Sequence, residues 1–353
     1  MRVYGDINMM EVAKRAGVSL STVSRVINGK QDVSPKSRAK IKKILRETGY
    51  RPNLLVSGIR RGRTYTIGVV LSWDLTFDGE IIRGIHDELQ ISGYVPVIQI
   101  LKPDGPPEIE LLHRLLDRRV DGVIMRMIEE KGLESNVREL LHRNIPVVAV
   151  DITLESVGVD FVGNNDELGG KLAAEYFLKF GHRRLGALVF PRTYQTSRLR
   201  LEAFERAAKK KSDVTVVSVE DLSFGENGTA AMKLLNFSPN PTGIFVNNDR
   251  LALGIYAAAE RMGLRIPEDI SVVGFGDFAL SQYIKPCLTT IHQQPYEIGR
   301  ESARIILERL APIVLLENGE FLEEPQHNHD VGYTRCLVDV SLIERASVSK
   351  PKQ

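Results

Sequence analysis

The spacing of apolar residues divides the chain near residue 63. Before that point, apolar positions recur every three or four residues, as at Val12, Ala13 and Ala16, which is the spacing that buries one face of a helix. After it, continuous apolar runs rich in β-branched residues alternate with segments of helical spacing. The sequence therefore predicts a small all-α unit, followed by a large α/β unit whose parallel strands are covered by helices on both faces.

Three helices are predicted in the small unit, because capping residues punctuate the apolar pattern. Asn8 caps the first helix and Gly17 ends it, and Ser19 caps the second helix only two residues later. A third helix begins at Pro35 and ends before Gly49. Two helices joined by a short turn that contains glycine form a helix-turn-helix, whose second helix enters the major groove of DNA.

The large unit contains a series of strand-like runs, and helical segments fit between nearly all of them. The runs cover residues 65–71, 94–100, 122–127, 146–150, 185–190, 214–219, 243–246 and 270–275. This number of strand–helix units predicts two doubly wound lobes. Such sheets bind ligands at the carboxyl ends of their strands, here in the cleft between the lobes.

Charge gives the two units opposite signs. The chain of 353 residues has a formal net charge of +2, yet residues 1–63 hold 15 Lys and Arg against four acids, a net charge of +11, and the remainder carries −9. A basic unit joined to an acidic one is typical of a nucleic-acid-binding module attached to another domain. By charge alone a basic disordered tail also fits, and helical spacing alone leaves a plain three-helix bundle open.

The sequence shows no complete motif for export, membrane insertion or catalysis. Residues 1–10 lack the charged start and apolar run of a secretory signal, and Cys287 and Cys336 are too few for a disulfide framework. The polar cluster at 327–330 is more typical of a solvated loop than of a metal site. The glycines of 274–279 match a dinucleotide fingerprint, but they lie near the end of the chain instead of in a first βαβ unit. We predict a cytoplasmic protein that is not an enzyme and binds no metal or cofactor.

The N-terminal unit carries a specific family resemblance. Residues 9–53 resemble the headpiece of the lactose-repressor (LacI-type) family of bacterial transcription regulators. The matching stretches include AGVS at 16–19, TVSRV at 22–26 and GYRPN at 49–53. The resemblance implies that residues 1–52 form a helix-turn-helix DNA-binding domain.

The second helix holds the residues expected to read DNA sequence. Helical spacing leaves Leu20, Ser21 and Arg25 on its outer face, and the forked side chain of Arg25 suits the edge of a guanine in the major groove. By the resemblance these three residues contact bases, and a second group of residues holds phosphates and sets the register. The phosphate-contacting group comprises Ser19, Thr22, Ser24, Asn28 and Ser34.

Residues 53–63 follow the headpiece as a capped stretch of about two turns, too short to be a stable helix alone. By the resemblance this stretch is a hinge helix, and two copies, one per subunit, enter the minor groove together. Ile59, with Val56 one turn earlier, would then be wedged between base pairs. Gly58 departs from the usual residues of the hinge and lowers its helix propensity, and a flexible interdomain linker remains the alternative.

The resemblance continues through the large unit and so covers nearly the whole chain. Matching stretches include RRVDGVI at 118–124, NIPVVAVD at 144–151 and LGGKLAAEYFLKFGHRRLG at 168–186. They imply a two-lobed effector-binding and dimerisation domain over residues 64–345, with the architecture of periplasmic binding proteins. The lobe next to DNA is expected to contain residues 64–162 and 293–322, and the distal lobe residues 163–292 and 323–345.

The effector pocket of the family maps onto residues from both lobes. Arg200 matches the arginine that clamps the ligand, and its fork suits hydroxyls or a carboxylate. The other expected contacts are Phe77, Asp78, Asp151, Phe224 or its neighbour Ser223, Asn248, Asp249, Asp277 and Gln293. Asp249 fits equally well as a helix cap. Many members carry Asp where this chain has Gly276, so either Asp277 takes over that contact or the ligand lacks a hydroxyl pair there.

The resemblance implies a dimeric repressor of carbohydrate genes, which binds a palindromic double-stranded operator and a small sugar or sugar derivative. Closure of the lobes on this effector would order or melt the paired hinge helices. A corepressor-dependent regulator of non-sugar metabolism, such as nucleotide metabolism, stays open. The tail after Leu342 is short and polar and has no leucine heptads, which favours a dimer over a tetramer.

Overall fold

A computed structural model describes most of the chain. The described residues are 8–27, 32–50, 63–72, 75–101, 105, 108–126, 133–154, 156–209, 212–219, 224–310, 313–315, 321–323 and 332–352. The expected DNA contacts Asn28, Val56 and Ile59, and all of the hinge except Arg63, lie outside these residues. The predicted fold class, a helical headpiece followed by a two-lobed α/β domain, is confirmed.

The headpiece consists of three helices around a small apolar core. The helices are α1 (Met9–Ala16), α2 (Leu20–Ile27) and α3 (Pro35–Thr48). Val12, Val23 and Ile41, one from each helix, are fully buried together. Asn8 accepts a hydrogen bond from the Glu11 amide at 3.0 Å, and Gly17 ends α1 with φ of 68°, a left-handed conformation that favours glycine. The helices therefore begin and end where the capping residues predict.

Lobe one is built on a six-stranded parallel sheet. In spatial order its strands are β2 (Val95–Ile100), β1 (Thr66–Leu71), β3 (Gly122–Arg126), β4 (Val147–Val150), β5 (Asp160–Asn164) and β13 (Arg335–Val338). The covering helices are α4 (Leu75–Ile91) and α12 (Pro295–Arg309) on one face, and α5 (Glu108–Asp117) and α6 (Leu133–His142) on the other. Because apolar side chains alternate between two separate cores, this is the doubly wound arrangement that the continuous apolar strands predict.

Lobe two repeats this plan. In spatial order its strands are β7 (Asp213–Ser218), β6 (Arg184–Val189), β8 (Gly243–Val246), β9 (Ser271–Gly276), β10 (Thr289–His292) and β14 (Ser341–Ile343), the last antiparallel to β10. The covering helices are α7 (Asp166–Phe180) and α8 (Gln195–Ala208) on one face, and α9 (Phe224–Leu235) and α10 (Asp249–Arg261) on the other. The remaining elements are the single turn α11 (Leu280–Tyr283) after β9 and a hairpin of β11 (Ile313–Leu315) and β12 (Phe321–Glu323) before β13.

The chain passes between the lobes after β5, after β10 and after β13. The sequence prediction assigned all of residues 323–345 to lobe two, and this boundary is wrong. β13 pairs in parallel with β5 of lobe one, and Val338 lies in the core of that lobe. The strand is short and half-exposed and lies at the edge of the sheet, so it lacks the continuous apolar run that marked the other strands.

Candidate functional site

The outer face of α2 presents the side chains expected to read bases. Val23 and Val26 are buried against the other two helices, which turns the opposite side of α2 to solvent. Leu20 is 44% exposed despite being apolar, and Ser21 and Arg25 are exposed on the same side. The structure thus brings the three predicted base contacts together on one free surface of the basic headpiece.

Three of the predicted phosphate contacts, Ser19, Thr22 and Ser34, lie at the N-termini of α2 and α3. Ser19 Oγ accepts a hydrogen bond from the Thr22 amide at 3.2 Å and lies 2.8 Å from the Thr22 hydroxyl. Ser34 Oγ accepts from the Ser37 amide at 3.2 Å, while Ser24 is half-buried on α2. Helix N-termini carry partial positive charge and free amides, so hydroxyls at these caps are well placed to bind phosphate.

In lobe one, Arg126 at the carboxyl end of β3 contacts Ser72 and Asp151, which follow β1 and β4, and Asp78 on α4. Its Nη1 donates to Asp78 at 2.7 Å and to Ser72 at 2.9 Å, and its Nε donates to Asp151 at 2.7 Å. Ser72 in turn donates to Asp78 at 2.7 Å. The guanidinium stacks over the ring of Phe77, with 4.9 Å to the centroid. We call Ser72, Phe77, Asp78, Arg126 and Asp151 the Arg126 cluster.

Lobe two presents a second arginine in an equivalent setting. Arg200 on α8 donates from Nε to Asp166 at 2.7 Å and from Nη1 to the Asn247 carbonyl at 2.9 Å. Its guanidinium stacks on Phe275, 3.8 Å from the ring centroid. We call Asp166, Arg200, Asn247 and Phe275 the Arg200 cluster. Among the described residues no hydrogen bond reaches Arg200 Nη2, so this corner of the fork is available to a ligand.

The two clusters lie within electrostatic range of each other across the cleft. Burial raises the pKa of Asp166 to about 6, and the nearby charge of Asp151 adds to the rise. Arg200 and Arg126 oppose the rise by favouring the carboxylate. A carboxyl group that titrates near neutral pH, buried in a cleft between charged clusters, is a feature of functional sites.

This shift predicts a pH dependence of stability. Because the folded-state pKa of about 6 exceeds the ordinary value of 3.8, the folded protein holds a proton between these pH values that the unfolded chain has released. The group therefore destabilises the fold above about pH 6, and this cost decreases as the pH falls. We expect the free energy of unfolding to rise by about 1 kcal/mol from pH 7 to pH 5 relative to the Asp166→Asn variant, measured by denaturant titration. Parallel pH profiles for the two proteins would contradict the assignment.

Asp249, one of the expected effector contacts, hydrogen-bonds to residues of its own lobe. Its side chain is fully buried and accepts from the Phe278 amide at 3.0 Å, from Ser281 Oγ at 2.6 Å and from Thr290 Oγ1 at 2.6 Å. Burial raises its pKa, and these hydrogen bonds favour the carboxylate. Asp249 therefore fixes the loop after β9, and the helix cap of α10 is Asn248 instead, which accepts from the Arg250 amide at 3.0 Å.

Asp277 also turns away from the contact expected of it. Its carboxylate accepts from Arg345 at 2.5 Å and lies 3.0 Å from His292 Nδ1, so both oxygens face lobe-two partners. Gly276 has φ of 136°, and a Cβ there would lie 3.1 Å from the Phe278 ring. The backbone and its neighbour thus disfavour a side chain at position 276.

The cleft is bridged by contacts between the lobes. Phe278 of lobe two meets Phe77 of lobe one edge-to-face, with ring centroids 6.4 Å apart. The Thr153 amide donates to Gln195 Oε1 at 2.7 Å. These contacts bring the Arg126 cluster and the Arg200 cluster together, so that one small ligand can touch both lobes.

The remaining predicted pocket residues lie around this cleft or outside the described side chains. Gln293 is buried at the crossover between β10 and α12, and Asn248 is half-buried at the carboxyl end of β8. Phe224 begins α9, but its side chain, like all of Ser223, falls outside the described part of the structure.

The sequence reasoning missed several side chains that the structure places in the cleft. They are Ser72, Arg126, Asn164, Asp166 and Asn247. All except Asp166, which begins α7, end or directly follow a strand. An arginine closing the apolar strand β3 was the signal that could have found Arg126. Asp151 Oδ1 and both polar atoms of Asn164 are buried and have no hydrogen-bond partner among the described residues. Buried polar atoms are normally paired, so these three are candidate ligand contacts.

Within the described residues, no helix is long and apolar enough to cross a bilayer. The same part of the chain has no group of three or more His, Cys, Asp or Glu side chains placed to hold a metal ion.

Comparison of the sequence with family models gives two matches. Residues 8–53 match the model described as bacterial regulatory proteins, lacI family. Residues 174–348 match the model described as a periplasmic binding protein-like domain. The first match covers the helix-turn-helix headpiece, and the second covers lobe two with parts of lobe one.

Curated relatives extend the similarity over most of the chain. The ribose operon repressor of Escherichia coli (strain K12) is 32% identical over 309 residues, which are 86% of this chain and 92% of the relative. The HTH-type transcriptional repressor PurR of Vibrio vulnificus is 32% identical over 307 residues, which are 85% of this chain and 91% of the relative.

Solved structures give the same picture. A lac repressor dimer bound to operator and the anti-inducer ONPF is 27% identical, with a TM-score of 0.79 and coverage of 98% of this chain and 100% of that one. A regulator from Enterococcus faecium with bound ribose is also 27% identical, with a TM-score of 0.67 and coverage of 81% and 100%.

Proposed function

The chain belongs to the LacI family of bacterial regulatory proteins and is a DNA-binding repressor, and on this basis we propose that it is a homodimer. Its affinity for a palindromic operator is then controlled by a small sugar-like effector bound in the interlobe cleft. The observation that carries the proposal is the outer face of α2, where Leu20, Ser21 and Arg25 are exposed to solvent on a segment of net charge +11. A basic surface supplies affinity for phosphates, and three side chains on one helix face supply a reading of bases.

Exposed apolar side chains on lobe one support a second copy of the chain as the partner. Ile91 at the end of α4 is 80% exposed, and Val95 and Ile98 on the edge strand β2 are also exposed. Grouped apolar residues at a sheet edge are a common mark of an interface. A twofold dimer would match the twofold symmetry of a palindromic operator.

The chemistry of the cleft supports a small effector rich in hydrogen-bonding groups. Two arginines, three aspartates and the unpartnered atoms of Asp151 and Asn164 surround it, and a hydroxyl can both donate to and accept from such groups. The ribose operon repressor among the relatives favours a sugar, whereas the equally similar PurR favours a corepressor from nucleotide metabolism. We propose the sugar first. The protein would act in the cytoplasm, by binding alone and without catalysis.

The proposal is tested by selecting binding sites from random double-stranded DNA with the purified full chain. We expect a palindrome, and we expect the Arg25→Ala variant to lose about 1–3 kcal/mol of discrimination at one base pair of each half-site. Arg15 is a matched control, because its guanidinium also pairs with a carboxylate at 2.9 Å but belongs to α1 instead of α2. Arg15→Ala should leave the sequence preference unchanged. Recovery of no common motif by the parent protein would refute the proposal.

A further inference from the structure

Arg25 on α2 forms an ion pair with a residue that lies outside this helix. Arg25 Nη1 lies 3.0 Å from Asp32 Oδ2, and both side chains are about half-exposed. Among the described residues, Arg25 has no other acidic group within ion-pair distance. Asp32 is also one of only four acids in the first 63 residues, so its place beside the expected base-reading arginine needs a reason.

The position of Asp32 is fixed by the two residues that follow it. Val33 is buried in the headpiece core, and Ser34 caps α3 by accepting from the Ser37 amide. Asp32 therefore presents its carboxylate from an anchored bend at the start of α3, and not from a freely moving tail. A fixed carboxylate beside a long, flexible side chain restricts the rotamers of that side chain.

The geometry of the pair leaves Arg25 able to read a base. The contact with Asp32 uses Nη1, while Nε and Nη2 remain as a two-donor edge. Arginine reads guanine with two parallel donors directed at O6 and N7. Holding the guanidinium in place before binding removes part of the ordering cost of the complex. The carboxylate also repels phosphates, so it disfavours binding modes in which Arg25 moves from a base to the backbone.

We propose that Asp32 is a positioning residue for Arg25, which orients its guanidinium for one base pair and weakens binding to unrelated DNA. The inference rests on the proposed base-reading role of Arg25. The other reading is that Asp32 merely reduces the positive charge of the headpiece. The pair of Glu11 and Arg15 separates the two readings, because it has the same charges and similar exposure but lies on α1 and does not involve Arg25.

The experiment uses the full chain with Asp32→Asn, Asp32→Glu and the matched control Glu11→Gln. Affinities are measured by fluorescence anisotropy for the selected operator, for operators changed singly at each half-site position, and for scrambled DNA. We expect Asp32→Asn to lower the preference at the Arg25 position about three- to ten-fold, to leave the other positions unchanged, and to bind scrambled DNA more tightly. Asp32→Glu keeps the charge and should retain part of the preference. Glu11→Gln should strengthen binding to all sequences alike.

A double variant makes the test specific to the pair. In an Arg25→Ala background, Asp32→Asn should no longer change the sequence preference, because the side chain that it orients is absent. An unchanged profile for Asp32→Asn in the parent chain, or equal changes at every position, would overturn the inference while the base-reading role of Arg25 stands. If Arg25→Ala itself relaxes no position, the base-reading role has failed, and the inference fails with it. Circular dichroism of each variant checks that the headpiece is folded.

Discussion

Replacing Arg126 by Met is expected to lower the free energy of unfolding of the effector domain by about 3–5 kcal/mol, because it leaves two buried carboxylates without their cation. Asp78 is fully buried and Asp151 is 6% exposed, and both accept hydrogen bonds from this guanidinium as ion pairs. The side chain itself is only 18% exposed, so water cannot replace it at both partners. Denaturant unfolding followed by far-ultraviolet circular dichroism would measure the change.

Arg114 provides the matched control for this prediction. It pairs with Glu110 at the same distance of 2.7 Å, but both side chains are about half-exposed, so Arg114→Met should cost at most about 1 kcal/mol. Adding Asp78→Asn to Arg126→Met should recover part of the loss, since one unpaired charge is removed. Equal losses from Arg126→Met and Arg114→Met would show that the Arg126 cluster is not a buried charge network.

The parts of the fold that follow from local sequence were predicted well. The headpiece helices have strong caps at Asn8, Ser19 and Ser34, and each cap is seen in the structure. The parallel strands of the lobe interiors are continuous apolar runs and were found for the same reason. Strands β5 and β10 were missed, because each is only four or five residues long and carries polar residues such as Asp160 and Thr290, which are buried by their partners.

The candidate site was predicted less completely, because side-chain partners depend on tertiary contacts. The family pattern names Phe77, Asp78, Asp151 and Arg200, yet it could not reveal that Arg126 on β3 pairs with both Asp78 and Asp151 and stacks on Phe77. It also could not show that the carboxylate of Asp249 is used up by three hydrogen bonds from neighbouring backbone and hydroxyl groups. A carboxylate beside a cleft reads the same in sequence whether it faces the ligand or the loop behind it.

The two arginines of the cleft differ in what their removal would leave behind. Loss of Arg126 removes a cationic partner from two buried carboxylates, those of Asp78 and Asp151. Loss of Arg200 removes the cationic partner of one carboxylate, that of Asp166. Asp166 already has a pKa of about 6, so it can take up a proton at modest cost and become a neutral hydrogen-bonding group. Arg200 is therefore the arginine whose role in the effector response can be tested in a protein that still folds.

Replacing Arg200 by Met is expected to leave operator binding without effector nearly unchanged and to abolish the effector response. The variant loses a guanidinium that stacks on Phe275 and whose Nη2 donates no hydrogen bond to the described residues. Charge-assisted hydrogen bonds contribute about 1.5–3 kcal/mol each. The effector concentration needed for half of the change in operator affinity should rise at least about 100-fold. The measurement is a titration of the protein–operator complex with D-ribose, and then with other neutral sugars and nucleobases.

Arg206 is the matched control, since it lies on the same helix and pairs with Glu167 at 3.0 Å, yet is 65% exposed and outside the cleft. Arg206→Met should respond to the effector as the parent chain does. Folding of Arg200→Met is checked by its thermal midpoint, which should improve relative to the parent as the pH is lowered from 7 to 5, because Asp166 becomes protonated. A normal effector response in folded Arg200→Met would remove Arg200 from the effector site and shift the ligand toward the Arg126 cluster.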